Sequence, residues 1–324
     1  GGFRRLYRPC GLSRNNYLAG SWSAQRQDHP VAMNERTGVL IAVLSSALGG
    51  GAAVATRFMI GTFDPLTLAT VRFGGGALLL LPVALLLRPK WPSRADWPAV
   101  AGLGFLFYAV FFVFYNLALA YTTVGRGTLA LSTLPLLTMV CGAVLGLEKL
   151  SSRKTAGVLL AMGGVAVALV ANLKTAPDGA WRGDLIMVGA TLCMALYNVY
   201  ARPFIARSSP LGYLAAGMAV GGGALIAISL ATGRVATILS FDTGQALSGL
   251  YLAAGGGAFG FFLWVLALKY ASPTRVANTI TINPFIAMAA GALMLGEPIT
   301  LPLVLGLAAV IAGVWVATTE ARTG

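Results

Sequence analysis

Two stretches decide the fold: AVLGLEKLSSRKTAG at residues 143–157 and ALMLGEPITLPLVLG at residues 292–306. In each, one glutamate stands between long apolar runs. Glu148 and Glu297 are 149 residues apart (297 − 148), and that interval organises the chain. Residues 117–168 slide onto 266–317 without a gap. Tyr121 meets Tyr270, Arg126 meets Arg275, Pro135 meets Pro284 and Met139 meets Met288. Gly157 and Gly164 meet Gly306 and Gly313. Elsewhere the offset drifts by a few residues: GGGAL recurs at 74–78 and 221–225, and Arg57 and Pro65 meet Arg202 and Pro210. A period this long marks a duplicated structural unit.

The composition says where that unit lives. The chain is 57% hydrophobic and 10% charged, with mean hydropathy +0.79. Soluble domains carry about 25% charged residues, so this chain cannot coat a water-facing surface. Apolar runs of about 20 residues, the length that crosses ~30 Å of hydrocarbon as a helix, recur at 37–60, 64–87, 96–119, 123–146, 152–173, 182–205, 209–231, 244–268, 272–295 and 300–319. Turn-forming FDP, RPKWPSR, SSP and GEP punctuate them. The predicted fold is an all-α polytopic membrane protein of ten transmembrane helices in two five-helix repeats, 37–173 and 182–319. Five is odd, so the second copy enters the membrane from the opposite side. Such inverted repeats are a recurring transporter architecture.

Basic residues set the orientation. Placing the N-terminus in the cytoplasm puts Arg36, Arg88, Lys90, Arg94, Lys149, Arg153, Lys154, Arg202, Arg207, Lys269, Arg275 and Arg322 inside. The smaller set Arg57, Arg126, Lys174, Arg182 and Arg234 falls outside. Both termini are then cytoplasmic. The net charge of +13 belongs to loops and tail, as topology signals, rather than to a nucleic-acid groove. Residues 1–36 are a basic, polar, disordered tail. The chain does not begin with Met, and MNERTGVLIAVL from Met33 reads as a start just before the first span. Residues 1–32 are therefore expected to be an over-extended reading frame, the alternative being a true cytoplasmic tail. Glu148 and Glu297 precede helix starts, with Ser151 and Thr300 expected as N-caps. A carboxylate there favours the positive end of its own helix, a structural use rather than a proton or substrate site.

The segments ALAYTTVGRGTLALSTLPLLTMVCGAVLGLEKLSSRKTAGVLLAMGG (118–164) and ALKYASPTRVANTITINPFIAMAAGALMLGEPITLPLVLGLAAVIAG (267–313), with LATVRFGGGALLLLP (68–82), resemble the drug/metabolite transporter superfamily, specifically an EamA-type permease. The resemblance covers about 38–319. It implies transport, with amino acids and other metabolites among the cargoes of similar permeases, and leaves the cargo of this chain open. The Gly-Glu pair of the second copy is interrupted in the first by Leu147.

Several residues are candidates for a solute site. Arg72, eight residues into the second span, contacts an anion or carboxylate, or else bonds carbonyls of neighbouring helices or snorkels to an interface. Arg126 and Arg275 open equivalent spans as gates or as interfacial anchors. Pro135 and Pro284 lie mid-span, where proline frees a carbonyl and makes a hinge or a fixed kink. Ser132, Thr133, Thr281 and Asn283 beside them offer hydrogen bonds to cargo. Tyr108, Phe112 and Tyr115 share one helical face, and with Asn116, Tyr197, Asn198, Tyr200 and Trp264 they build either an aromatic cavity wall or an interface belt. The glycine clusters at 49–51, 74–76, 221–223 and 255–257 permit close helix approach.

Absences narrow the chemistry. The one histidine, His29, lies in the tail. The spans hold no catalytic centre, no metal-ligand spacing and no cofactor motif, and no acid lies mid-span, so an enzyme is not expected. The expected function is a secondary transporter moving a small polar or amphipathic metabolite by alternating access. It would sit in the inner membrane with lipid and a small-molecule solute as its partners. A lipid-linked substrate flippase and a non-transporting interaction protein are the alternatives.

Overall fold

The computed structural model describes residues 35–146, 152–171 and 176–318. The tail and Glu148 lie outside them. The described residues form helices α1 (Glu35–Ile60), α2 (Pro65–Leu87), α3 (Trp97–Tyr121), α4 (Val124–Val144), α5 (Ser152–Ala171), α6 (Ala180–Arg207), α7 (Pro210–Ala231), α8 (Thr243–Tyr270), α9 (Pro273–Leu295) and α10 (Leu301–Thr318). Eight of them are long and apolar enough to cross a membrane. The apolar parts of α5 and α10, Thr155–Ala171 and Leu301–Gly313, are shorter. The expectation of ten equivalent spans is met for those eight.

The turn signals act as helix starts. Asp64 accepts from the amides of Leu66 (3.0 Å) and Thr67 (3.2 Å), with Pro65 following at the first helical position. Ser209 and Pro210 repeat this at α7, where the Ser209 hydroxyl accepts from the Gly212 amide at 3.0 Å. Each cap satisfies amides that the first turn leaves unpaired, and proline has no amide to lose there. At α8, Asp242 and Gln245 form a reciprocal capping box. Gly296, at φ 66°, closes α9 in the left-handed region that glycine tolerates.

Three helices carry a stretch of wider π turns: Thr70–Gly74 in α2, Phe105–Phe111 in α3 and Tyr251–Phe259 in α8. Two others are interrupted. The α4 helix turns at Ser132 and Thr133 between Val124–Leu131 and Leu134–Val144. The α9 helix passes through a 3-10 turn, Thr279–Thr281, before Ile282–Leu295. The two breaks overlap at one repeat position, Ser132 in the first copy and Thr281 in the second. Pro135 and Pro284 therefore do not kink continuous helices, as expected from the sequence. They sit in the first turn of a new segment, where proline costs little. The hydroxyls beside them bond backward, Thr133 to the Ala130 carbonyl (2.8 Å) and Thr281 to the Asn278 carbonyl (2.9 Å).

Helix packing is reciprocal between the halves. Gly164 meets Gly306 and Ala309, while Gly157 meets Gly313, so α5 and α10 run antiparallel with each glycine against the other's equivalent. Likewise Gly104 of α3 faces Gly217 and Gly221 of α7, while Gly75 and Gly76 of α2 face Ala253 of α8. Small residues let backbones approach where lipid supplies no hydrophobic drive between helices.

A Cβ at Gly164 would overlap Ala309, whereas one at neighbouring Gly163 would meet nothing within 4 Å. Gly164→Ala is expected to destabilise the fold by about 1–3 kcal/mol, the usual range for overpacking. Gly163→Ala should be neutral or slightly stabilising through its helix propensity. Thermal unfolding of both purified variants in detergent checks this; equal melting temperatures would contradict the packing.

Candidate functional site

The cavity at the centre of the fold is bounded by α1, α2, α3, α4, α6, α8 and α9. Its wall includes Ser45, Ser46, Arg72, Phe112, Tyr115, Phe261, Trp264 and Asn283. The π stretches matter here. A wide turn alters the helical phase and is common at functional sites. That of α2 contains Arg72, that of α8 contains Gly256, and that of α3 ends at Phe111; all three residues line the cavity. The cavity volume is about 40 Å³, enough for water at ~10–15 Å³ each. Metabolite pockets span roughly 300–1,000 Å³, so a solute enters only if helices part.

Arg72 is 3% exposed. Its Nη2 donates to the Gly256 carbonyl at 3.0 Å, while buried Nε and Nη1 have no hydrogen-bond partner among the described residues. The guanidinium lies 4.7 Å from the Phe112 ring centre, 5.3 Å from Phe73 and 5.9 Å from Phe261. Arg72 thus bonds a neighbouring helix's carbonyl, as one expectation had it, and presents unpaired donors at a cavity wall. Asn283 joins it there, and its Oδ1 is also buried without a partner.

The other candidates divide. Trp264 faces the cavity with its Nε1 donating to Asn198 Oδ1 at 3.0 Å, so Asn198 orients the wall from behind. Tyr115 lines the cavity, but Tyr108 does not. The π stretch of α3 breaks the face they were expected to share. Tyr108 instead bonds the Tyr197 hydroxyl at 2.9 Å, inside an aromatic core with Phe107 and Tyr213. Asn116 donates to the Pro65 carbonyl at 3.0 Å, tying α3 to the start of α2. Thr133 and Pro135 line a smaller, mostly apolar cavity of about 20 Å³ between α4, α5, α9 and α10. Pro284 is buried in α9 beside Asn283.

Charged pairs fasten the helix ends. Arg126 of α4 pairs with Asp184 of α6, and the Thr122 hydroxyl also donates to Asp184 at 3.1 Å. Arg275 of α9 pairs with Glu35 of α1 at 2.7 Å. Glu35 and Asp184 are 149 residues apart, as are Arg126 and Arg275, so one pair repeats the other. Their surroundings differ. The side chains of Arg126 and Asp184 are 2% and 9% exposed, those of Arg275 and Glu35 46% and 44%. Sequence reading passed over Asp184 as an acid near a span end. The interval that matched the arginines would have found it.

Glu297 departs from expectation. It does not cap its own following helix; the Thr300 hydroxyl is buried without a partner. Instead, its Oε2 accepts from the Val124 amide at 2.9 Å, and Oε1 from Arg57 Nε at 3.4 Å. Arg57 also donates to the Leu119 carbonyl at 2.9 Å. The carboxylate thus sits at the positive start of α4 in the other half of the chain. Among the described residues no cluster of three or more metal-ligating side chains occurs.

Breaking a buried ion pair by removing one charge costs about 3–5 kcal/mol, while an exposed pair is worth ~1 kcal/mol or less. Asp184→Asn is therefore expected to lower the melting temperature much more than Glu35→Gln in its repeat equivalent. Calorimetry on both variants in detergent checks it; equal losses would contradict the burial difference.

Comparison with known proteins agrees with this architecture. The EamA-like transporter family matches the chain twice, over residues 36–170 and 181–319. An "Uncharacterized transporter" of Archaeoglobus fulgidus is 24% identical over 283 residues, covering 86% of this chain and 97% of the relative. A "Probable amino-acid metabolite efflux pump" of Escherichia coli K12 is 25% identical over 300 residues, covering 88% and 95%. A solved structure, described only as "Crystal structure of protein", superposes with a TM-score of 0.64 at 21% identity, covering 87% of this chain and 96% of that one. That likeness concerns the fold.

Proposed function

The chain belongs to the EamA-like transporter family, and from that membership we propose that it is a secondary transporter working by alternating access. Its cargo is a small polar or amphipathic metabolite, an amino acid or related solute, as the name of the Escherichia coli relative suggests for that protein. The protein is an integral membrane protein. In our reading it lies in the inner membrane with both termini cytoplasmic, and residues 37–173 and 182–319 are inverted five-helix repeats.

The observation that carries this reading is the unequal pair of equivalent ion pairs. On the topology given by the basic loops, Arg126–Asp184 closes the outer end and Glu35–Arg275 lies at the inner end. The outer pair is dry and braced by Glu297 and Arg57; the inner one is wet. Two copies of one fastening, both closed but one enclosed and the other exposed, suit an inverted-repeat carrier that opens one side at a time. Reciprocal glycine contacts support a rocking motion of similar halves. The matched breaks at Ser132–Thr133 and Thr279–Thr281, next to Pro135 and Pro284, supply the flexible points. Helices broken beside a central site are frequent in such carriers.

A cysteine at Ser45, in the cavity wall, reports which end opens, in a background where Cys10, Cys141 and Cys193 are replaced by alanine. Asp184→Asn is expected to raise its labelling by a charged thiol reagent applied outside intact cells. Glu35→Gln should raise labelling from the cytoplasmic side in inverted vesicles. Labelling that rises from the same side in both variants would overturn the gate assignment. Saturable uptake of a small solute by proteoliposomes tests transport itself.

A further inference from the structure

We propose that Arg72 is the head-group receptor of the central cavity and that the cargo is a small organic carboxylate with an apolar or aromatic body. The assignment rests on the transporter reading and adds the class of solute. Its starting point is an uncompensated charge. Arg72 is buried at the depth of the cavity, yet none of the ion pairs among the described residues includes it. Intramembrane ions normally pair with one another or with carbonyls and mark solute pathways. Arg72 has one carbonyl, that of Gly256. The rings of Phe112, Phe73 and Phe261 stabilise a cation through their faces. They do not accept the in-plane hydrogens of Nε and Nη1, which have no partner of hydrogen-bond geometry among the described residues, although the Tyr115 hydroxyl lies near the guanidinium.

The fork geometry selects the ligand. Nη2 carries two hydrogens, one on the edge shared with Nε and one on the edge shared with Nη1. Gly256 takes one of them. Whichever it takes, one complete two-donor edge of the guanidinium is left, and a planar carboxylate fits such an edge with two parallel charge-assisted bonds. A structural tether alone would need only the single bond to Gly256. The rest of the wall sets the body of the solute. Phe111, Phe112, Phe261 and Trp264 are apolar and aromatic, and Asn283 adds an unpaired amide oxygen for one donor. Among the described residues, no acidic side chain lines the cavity. An amine that lacks a carboxylate would therefore lie beside Arg72 with no counter-charge, so simple cationic amines are disfavoured at this site, whereas an amino acid brings its own carboxylate.

The test uses the full chain in detergent with a series matched in body: 3-phenylpropionate, 3-phenylpropanamide, 3-phenylpropylamine and 2-phenylethylphosphonate. The expected result is a saturable rise in melting temperature with the carboxylate, at a concentration about tenfold or more below that needed for the amide, the value of a charge-assisted bond over a neutral one. The amine should give no rise, and the phosphonate should not exceed the carboxylate. Arg72→Lys, which keeps the charge and loses the fork, should weaken the carboxylate response about tenfold or more and leave any amide response unchanged. An amide or amine as effective as the acid, a phosphonate that binds tighter, or an unaltered response in Arg72→Lys would overturn the assignment. If Arg72→Lys does not fold, the wild-type ranking decides by itself. Uptake into proteoliposomes separates the two levels. Flux indifferent to solute charge overturns only the carboxylate, whereas absence of flux for every solute overturns the transporter reading.

Discussion

The structure depends on backbone contact between helices at glycines. In hydrocarbon there is no water to expel between two apolar helices, so association comes from close packing and from polar groups satisfied across the interface. Gly157, Gly164, Gly306 and Gly313 bring α5 and α10 together, and Gly104, Gly217 and Gly221 do so for α3 and α7. Because equivalent glycines serve both halves, contacts come in reciprocal sets. Two similar units that meet through the same surfaces can shift against each other without making a new kind of interface.

Around the cavity the rule of regular helices is relaxed, and the relaxation is local. The π stretches of α2, α3 and α8 and the breaks in α4 and α9 all lie on helices that bound it. Irregular backbone is tolerated at membrane depth only where protein or a cavity surrounds it. Here hydroxyls carry part of that burden: Thr133 and Thr281 bond the carbonyls that a continuous helix would have used. At the cavity wall, the buried side-chain polar atoms without a partner among the described residues are those of Arg72 and Asn283. A groove lined by satisfied groups would hold a solute only through shape; two unsatisfied ones give it chemistry.

Polar fastenings at the helix ends are unequal by design of the sequence. The Arg126–Asp184 pair is enclosed, and its partner Arg275–Glu35 is wet. Glu297 can receive the amide of Val124, whereas the residue equivalent to Val124 in the second copy is Pro273, which has no amide to give. One end of the molecule therefore has a latch that the other end cannot copy. Such asymmetry biases two otherwise related arrangements by the energy of one bond.

Much was legible in the sequence because it is written locally. Hydropathy over a stretch the length of a bilayer located the helices, and the Asp64-Pro65 and Ser209-Pro210 pairs marked their starts within a residue or two. The interval between Glu148 and Glu297 exposed the duplication. Arg72 and Asn283 stood out because a charge or an amide in a span is costly without a partner, Tyr115 and Trp264 because large rings suit a cavity wall, and all four lie along one cavity. The tertiary structure decided the rest, since a side chain's partner depends on helix phase and on what packs alongside. A π stretch, which no local residue pattern announced, moved Tyr108 from the cavity face into the core with Tyr197. Neighbours turned Asn116 and Asn198 into supports, and Glu297 into a cap for a helix more than a hundred residues away. Asp184 looked peripheral in one dimension. It became the enclosed partner of Arg126 only when α4 and α6 came together.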